Sequence, residues 1–510
     1  MEKFPWWSKT QCQLADDAKK FVDAIMPAAM KCAWKRQYPW EIMDKIKEKG
    51  WFGAMIPEEY GGHAKEWGVT GACIILEEMG RTAEAHRAYG TTLIGSTTQI
   101  LHNGSEEQKH RWLPKLAKGE LLGAITITEP YTGSDAAGIE TTAKREGDVY
   151  VVNGKKRFIT NAGAANLYVT YVKTDESPEA RGKSRHLTAL VLEKGMSGFT
   201  VERINELLGF DGIYNGFLNF ENVKVPVANR LENEGDGWKV MTGGLNLERT
   251  IGAAFVLGMM REALRWAVFH LQRRIQFGQP SINITTNQAK VANMVLQLNL
   301  ARLATYYTAH LFELGKDAPV EASSCKVFNS DTGIQFMIEA IQCMGGDGAT
   351  RFYPVERLMR DVKIAQIAAG TSEVQRLIIF RQGLRNLAED LKVPRRVMDE
   401  ELGVPMPAGG AGPLKKVTNE SDVLQTLAEN YRVNPGLNMT QQDMLEQLDV
   451  KSEKLTEYLV SLEKQGLARL HRDRKGLIDL CRATYTGLAK ANPPEYYRYI
   501  PDWVDAEDMF

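Results

Sequence analysis

The hydrophobic period of this 510-residue chain changes twice, and no other feature constrains its fold as strongly. Through residues 1–121 apolar side chains recur at helical spacing, as in Phe21, Val22, Ile25 and Met26 and again in Ile75, Leu76 and Met79. A Pro-Glu-Glu-Tyr-Gly-Gly break at 57–62 divides two helical groups. From Leu122 the period drops to two. Val149, Val151 and Val152 run into Asn153-Gly154, a hairpin signal, and further β-rich runs follow at 167–172, 187–192, 199–201 and 217–225. This block reads as a small antiparallel barrel or sandwich. Helical period returns at Gly237, with elements expected at 247–272, 288–313, 332–343 and 374–391. Residues 403–413, rich in Gly, Pro and Ala, have almost nothing to bury and read as a linker to a separate module. The expected fold class is therefore mostly α with a central β-domain. The expected division is 1–121 helical, 122–234 β, 235–400 helical bundle, 401–414 linker and 415–510 extension.

Composition narrows the function classes. A hydrophobic content of 44% and a charged content of 25% belong to an ordinary globular chain. Lys plus Arg number 63 against 64 Asp plus Glu, which argues against a chain built to coat nucleic acid. The longest apolar stretch, around 251–260, is shorter than the ~20 residues of a membrane span, and the N-terminus shows no secretory pattern. Six cysteines lie far apart without a CxxC, as expected of reduced thiols in the cytoplasm, with no metal site.

Five short motifs offer chemistry. Ile127-Thr128-Glu129-Pro130-Tyr131-Thr132-Gly133-Ser134-Asp135 sits where the period changes, a turn whose hydroxyls and backbone N–H groups suit a planar polar ligand or merely decorate an interdomain loop. Phe158-Ile159-Thr160-Asn161-Ala162 adds an aromatic ring and a hydroxyl at a strand end. Arg273-Arg274-Ile275-Gln276-Phe277-Gly278 closes a helix, where Arg274 either complements the helix dipole or binds phosphate. Gln342-Cys343-Met344-Gly345-Gly346-Asp347-Gly348 ends another helix with glycines that let backbone approach a ligand or simply cap it. Ala369-Gly370-Thr371-Ser372-Glu373 reads as a turn and helix start with Ser372 as N-cap.

In this order and context the sequence resembles the acyl-CoA dehydrogenase family over residues 15–395. The resemblance implies a helical domain, a β-barrel-like domain and a four-helix bundle, with FAD as cofactor. It places Ile125, Ile127, Thr128, Ser134, Phe158 and Thr160 at the isoalloxazine. Arg274, Phe277, Gln342, Gly345 and Gly346 would hold the ADP half of FAD across a subunit boundary, with Thr371 and Glu373 completing the flavin site. The chain departs from the family where Phe158 replaces a common Trp and where Ala349 stands at a common aromatic position.

Most members carry the catalytic Glu directly before the Gly-Thr of the fifth motif. Here that position is Ala369, preceded by Ala368. A subgroup that includes isovaleryl-CoA dehydrogenase instead places the Glu before an Arg on a bundle helix, matching Glu248-Arg249. On a helix Glu248 neighbours Gly244, Ile251, Gly252 and Phe255, an apolar face that would raise its pKa, while Arg249 points about 100° away. Ser134, Asn246, Arg249, Ala369 and Gly370 would contact substrate, with the Ala369 N–H polarising the thioester. The two alanines leave room for a short or medium acyl group, branched, cyclic or aromatic.

The expected function is α,β-desaturation of an acyl-CoA by a homotetramer, or at least a dimer, with electrons passing to an electron-transfer flavoprotein. Enoyl-CoA reduction and a DNA-associated flavoprotein of the same fold are the alternatives. The extension resembles a winged-helix domain, with helices at 421–431, 440–448 and 451–465 and a wing at 467–483. Its 13 Lys/Arg against 16 Asp/Glu do not favour DNA, whereas Tyr496, Tyr497, Tyr499, Pro501 and Trp503 suit docking on protein.

Overall fold

The computed structural model describes residues 2–82, 85–388, 390, 414–433 and 436–491. The chain divides into two compact units, 1–386 and 387–510.

The first unit opens with helices α1 (Lys9–Lys35), α2 (Trp40–Glu48), α3 (Gly68–Met79), α4 (Ala85–Thr91), α5 (Thr98–Asn103) and α6 (Glu106–Ala117). Capping boxes at Ser8 with Gln11 and Ser105 with Gln108 start α1 and α6 by satisfying N–H groups that the first turn leaves free. Phe21, Val22 and Ile25 are buried, as their spacing predicts.

The middle region is an eight-stranded sheet of β1 (Gly123–Thr126), β2 (Thr142–Glu146), β3 (Val149–Thr160), β4 (Leu167–Lys173), β5 (Leu187–Glu193), β6 (Phe199–Ile204), β7 (Asn215–Pro226) and β8 (Arg230–Leu231), with α7 (Pro178–Gly182) between β4 and β5. Two expectations fail here. The sheet is not purely antiparallel, because β1 pairs β4 in parallel from Gly123↔Leu167 to Thr126↔Thr170 and β2 meets β4 in parallel at Thr142↔Lys173. Nor is Asn153-Gly154 a hairpin turn, since β3 runs straight through it with a register shift between Val152 and Gly154. Gly154 is needed there because a Cβ would stand 2.6 Å from Thr141 Oγ1, and Asn153 Oδ1 accepts a bond from Asn222 N (2.8 Å) on β7. The real turn is two residues long, Gly147-Asp148, between the paired Glu146 and Val149.

The bundle comprises α8 (Gly237–Arg273), a short hairpin of β9 (Ile275–Gln276) and β10 (Gln279–Pro280), α9 (Thr285–Glu313), α10 (Pro319–Met344), α11 (Val355–Ala365) and α12 (Ser372–Asn386). The helix expected at 332–343 is thus the second half of the longer α10. Residues 253–260 of α8 are buried on every side, the pattern of a helix at the centre of a core. Gly258 lets α8 touch α3, because a Cβ there would meet Glu77 O at 1.9 Å. Across this contact the buried Glu77 carboxylate accepts from Arg302 Nε (3.0 Å), Arg261 Nη1 (3.2 Å) and Tyr306 OH (2.8 Å), so its charge is fully partnered.

The second unit has β11 (Lys415–Lys416), α13 (Glu420–Val433), α14 (Gln441–Leu445), β12 (Leu448–Asp449), α15 (Ser452–Lys464), antiparallel β13 (Ala468–Arg472) and β14 (Ile478–Ala483), and α16 (Tyr485–Ala491). Its core gathers Leu424, Leu427, Leu455, Leu459, Leu462 and Cys481. The sequence-derived linker at 403–413 and the aromatic tail from Tyr496 to Trp503 lie outside the described residues.

Candidate active site

Glu248 lies on α8, one turn beyond a close approach of α5. A Cβ at Gly244 would stand 2.0 Å from Gln99 Nε2, so only glycine lets α5 approach α8 there. The Glu248 side chain is buried, with 8% of the residue exposed, and its Oε2 has no hydrogen-bond partner among the described residues. Burial pushes its pKa above the ordinary carboxylate value, while the charges of Arg87 and Arg249 hold it back. Glu248 shares a cavity with Arg87, Arg249, Lys326, Ala368 and Ala369. Arg249 does not point away from it, as helical geometry alone suggests. Its long side chain reaches the same cavity while donating from Nη1 to Asn246 Oδ1 (2.8 Å).

The loop carrying Ala369 is held from below. Lys326 Nζ on α10 donates to Gln366 O (3.1 Å) and Gly370 O (2.9 Å), either side of the Ala368–Ala369 corner. Burial takes Lys326 down to about 8. Ala369 has φ 56° and its N–H bonds to nothing among the described residues. Beyond it, Thr371 rather than Ser372 caps α12, accepting from Val374 N at 3.3 Å. Ser372 instead begins the helix and donates to Asp331 Oδ1 (2.8 Å), which also accepts from Gln366 Nε2 (2.7 Å).

The first two motifs meet at one end of β1 and β3. Arg157 N donates to Thr128 O (2.9 Å), and Lys156 Nζ donates to Ile127 O (3.1 Å), Glu129 Oε1 (2.8 Å) and Tyr171 O (2.7 Å). The Lys156–Glu129 pair is fully buried and pins the first motif to the sheet. Ile125, Ile127 and Thr128 are half-buried beside it, and Ser134 is exposed. Phe158 projects with 48% of its surface exposed. Thr160 Oγ1 accepts from Arg87 Nη2 (3.3 Å), which joins this wall to the cavity of Glu248. Asn161 ties the strand end to the helical domain, donating to Ala88 O (3.1 Å) and accepting from Tyr38 OH (2.8 Å).

The helix that ends in the third motif also meets the fourth, since His270 Nε2 in the last turn of α8 lies 3.0 Å from Asp347 Oδ2. Arg274 caps α8 and the β9–β10 hairpin lifts Phe277 into solvent, 92% exposed. Gln342, Gly345 and Gly346 are exposed at the end of α10, and nothing stands within 4 Å of where a Cβ would sit on either glycine. No hydrogen bond or ion pair among the described residues joins this second patch to the cavity. Glu373 is exposed on the first turn of α12, and Thr371 is half-buried beside Gly370.

Nine non-glycine residues have positive φ among the described residues, and Phe158, Asn161, Phe277 and Ala369 all fall within these motifs. Backbone strain of this kind persists where a site imposes it. Projecting aromatics, short hydroxyls and open glycines suit the planar ring and pyrophosphate of a dinucleotide.

Three domain descriptions match the chain: acyl-CoA dehydrogenase N-terminal domain over 8–120, middle domain over 124–223 and C-terminal domain over 235–384. The chain belongs to the acyl-CoA dehydrogenase family. It is similar to an acyl-CoA dehydrogenase of Bacillus subtilis (39% identity, covering 70% of this chain and 93% of that one) and to mitochondrial isovaleryl-CoA dehydrogenase of Arabidopsis thaliana (36%, 73% and 91%). Among solved structures it resembles butyryl-CoA dehydrogenase from Megasphaera elsdenii, with TM-score 0.72 and 34% identity, covering 76% of this chain and all of that one. It is an FAD-dependent oxidoreductase acting on CH–CH bonds. No helix among the described residues is long and apolar enough to cross a membrane.

Sequence reasoning missed Arg87, Lys326, Asn161 and the Lys156–Glu129 pair. Only Lys326 leaves a readable signal, as the single charge between Glu321 and Asp331 on a helix whose neighbouring positions are small or apolar.

Proposed function

We propose that this family member desaturates a short or medium acyl-CoA at Cα–Cβ, with Glu248 as the base and an electron-transfer flavoprotein as acceptor. The observation that carries the reading is the unpartnered Oε2 of buried Glu248 in the cavity that also holds the free N–H of Ala369. FAD, when bound, accepts the β-hydrogen as hydride. Glu248 Oε2 takes the α-proton, and the bonding pair left at Cα completes the Cα=Cβ double bond as the hydride departs. The Ala369 N–H donates to the thioester oxygen, where negative charge develops as that proton leaves. Lys326 holds this donor by fixing the carbonyls on either side of it. Asn246 orients Arg249, and with Ser134 and Gly370 these complete the substrate wall. Ile125, Ile127, Thr128, Ser134, Phe158 and Thr160 contact the isoalloxazine, with Thr371 and Glu373 beside it. Arg274, Phe277, Gln342, Gly345 and Gly346 form the patch for the ADP half of a second subunit's FAD, in a tetramer or dimer. The exposure of Phe277 on its hairpin supports a surface that another subunit covers. The same residues serve the reverse, enoyl-CoA-reducing direction.

Anaerobic mixing of the holoenzyme with acyl-CoAs of different length and branching is the test. Bleaching of the flavin absorbance by at least one of them is the expected result; no bleaching by any would sink the proposal. Because the ionised carboxylate is the base, the rate of flavin reduction rises with pH through the raised pKa of Glu248, and a rate that falls across this range would contradict it.

The extension is proposed to be a winged-helix module that docks on protein. Its candidate recognition helix, α15, spends its charge internally: Lys454 pairs with Glu457 (2.6 Å), and Arg472 of β13 pairs with Glu463. Such pairing lowers the positive charge that these two side chains offer to phosphate. A chain ending at Ala411 should keep FAD and acyl-CoA-dependent bleaching while losing assembly stability or coupling to its electron acceptor. Salt-sensitive, sequence-dependent binding of the full chain to duplex DNA, lost on that truncation, would overturn the docking role.

A further inference from the structure

The left-handed backbone of Ala369 is held by side chains of two neighbouring helices. Ala369 and Gly370 both have positive φ, 56° and 85°, and only the glycine adopts such a value without strain. Lys326 Nζ of α10 grips this turn at Gln366 O and Gly370 O, and Gln375 Nε2 of α12 donates to Ala369 O (3.3 Å). Gln375 is fully buried and does not line the Glu248 cavity. Its amide lies so close to the turn that a Cβ on Gly370 would stand 2.4 Å from Nε2. Its Oε1 is buried with no hydrogen-bond partner among the described residues. Turning the amide over would set that oxygen against Ala369 O, acceptor against acceptor, so the sense of the amide is fixed. A buried amide oxygen left unpaired is destabilising, and an apolar side chain of similar shape would avoid it. The unpaired oxygen accompanies a donor that only an amide supplies to Ala369 O.

We propose that Gln375 is a positioning residue of the reaction: with Lys326 it locks Ala369 in its strained conformation and so aims the Ala369 N–H at the thioester oxygen. This deepens the acyl-CoA reading and rests on it. The peptide planes on the C-terminal side of Ala369 are anchored, one by Gln375 at Ala369 O and the next by Lys326 at Gly370 O. Relaxation of φ to a negative value then turns the plane between Ala368 and Ala369, the plane that carries the donor. Charge grows on the thioester oxygen as the α-proton leaves, and a donor already aimed there needs no reorganisation at that moment. Gln375 touches neither the substrate nor the cavity wall and acts only through Ala369.

The test follows proton removal rather than turnover. An acyl-CoA analogue with sulfur in place of the β-carbon gives its α-proton to Glu248 of the holoenzyme without hydride transfer, and the enolate left beside oxidised flavin absorbs at long wavelength. Titrating that band against pH yields the apparent pKa of the bound analogue. Gln375→Met should retain FAD and raise this pKa by about one unit or more, a tenfold or greater loss of oxyanion stabilisation. Gln375 is uncharged, so its replacement leaves the charges around Glu248 in place. Gln375→Asn keeps an amide but withdraws it from Ala369 O; it should raise the pKa as well, and it carries the test where Gln375→Met fails to fold. Adding Ala369→Gly to either variant should return part of the shift, because glycine holds the left-handed conformation without strain. A merely structural Gln375 would lower the melting temperature and leave the pKa on the surviving holoenzyme unmoved, and that outcome overturns the proposal. A further rise on adding Ala369→Gly overturns it too. Where the wild-type holoenzyme ionises the analogue and is bleached by acyl-CoAs, an unmoved pKa sinks this inference alone; wild-type protein that does neither sinks the dehydrogenase reading.

Discussion

Glu248→Gln retains FAD and loses roughly 10⁴-fold in turnover, the scale of a missing general base. Glutamine keeps the shape and volume of the side chain, so packing against Gly252 and Phe255 persists while the proton acceptor is gone. Nothing else in the cavity takes over. Its other titratable groups are Arg87, Arg249 and Lys326, and Lys326, at about 8, is mostly cationic near neutral pH. The nearby Tyr171 hydroxyl is fully buried and pushed well above its usual range by burial and by the Glu248 charge. Flavin absorbance at wild-type stoichiometry, with steady-state turnover measured on the same sample, checks the prediction. Wild-type turnover in the variant would end the assignment. Moving the carboxylate, with Ala369→Glu in a Glu248→Gly background, should return part of the lost activity while narrowing the pocket.

Arg274→Ala should weaken FAD binding about 30-fold, the loss of a charge-assisted contact to phosphate worth about 2 kcal/mol, and should shift the assembly toward smaller species. Arg274 is exposed at the end of α8 and makes no ion pair among the described residues, so its removal leaves the subunit core intact. A combined loss of flavin and oligomer is therefore evidence of a role outside its own chain. Equilibrium dialysis of FAD and sedimentation velocity read the two effects. A variant that keeps both contradicts the subunit-boundary reading.

Much of this fold is legible because its signals are local. The switches of hydrophobic period near Leu122 and Gly237 fall close to the bounds of the three matched domain descriptions, and the five motifs stand at strand and helix ends. Asn153-Gly154 misleads for a physical reason. The same pair that suits a tight turn also suits a bulge where Thr141 crowds the strand, and only the tertiary neighbour decides between them. Thr371 and Ser372 are equally good caps by type, and the half-buried Asp331 recruits Ser372 away from that role. The parallel pairing of β1 with β4 is a contact across more than forty residues and leaves no mark in either strand. Arg87 is the clearest case of information carried by the fold alone. On α4 it is one cation in a short helix, and only the approach of α8, α10 and the Ala369 loop makes it a half-buried charge facing a cavity.

The central claim is that Glu248 removes the α-proton, and it is tested most directly by isolating that step from hydride transfer. An acyl-CoA analogue with sulfur in place of the β-carbon has no β-hydrogen to give, so exchange at Cα reports the base alone. Incubated with the holoenzyme in D₂O, the analogue should gain deuterium at Cα with the wild-type protein and show only the enzyme-free background with Glu248→Gln. Exchange by Glu248→Gln at the wild-type rate would contradict the account.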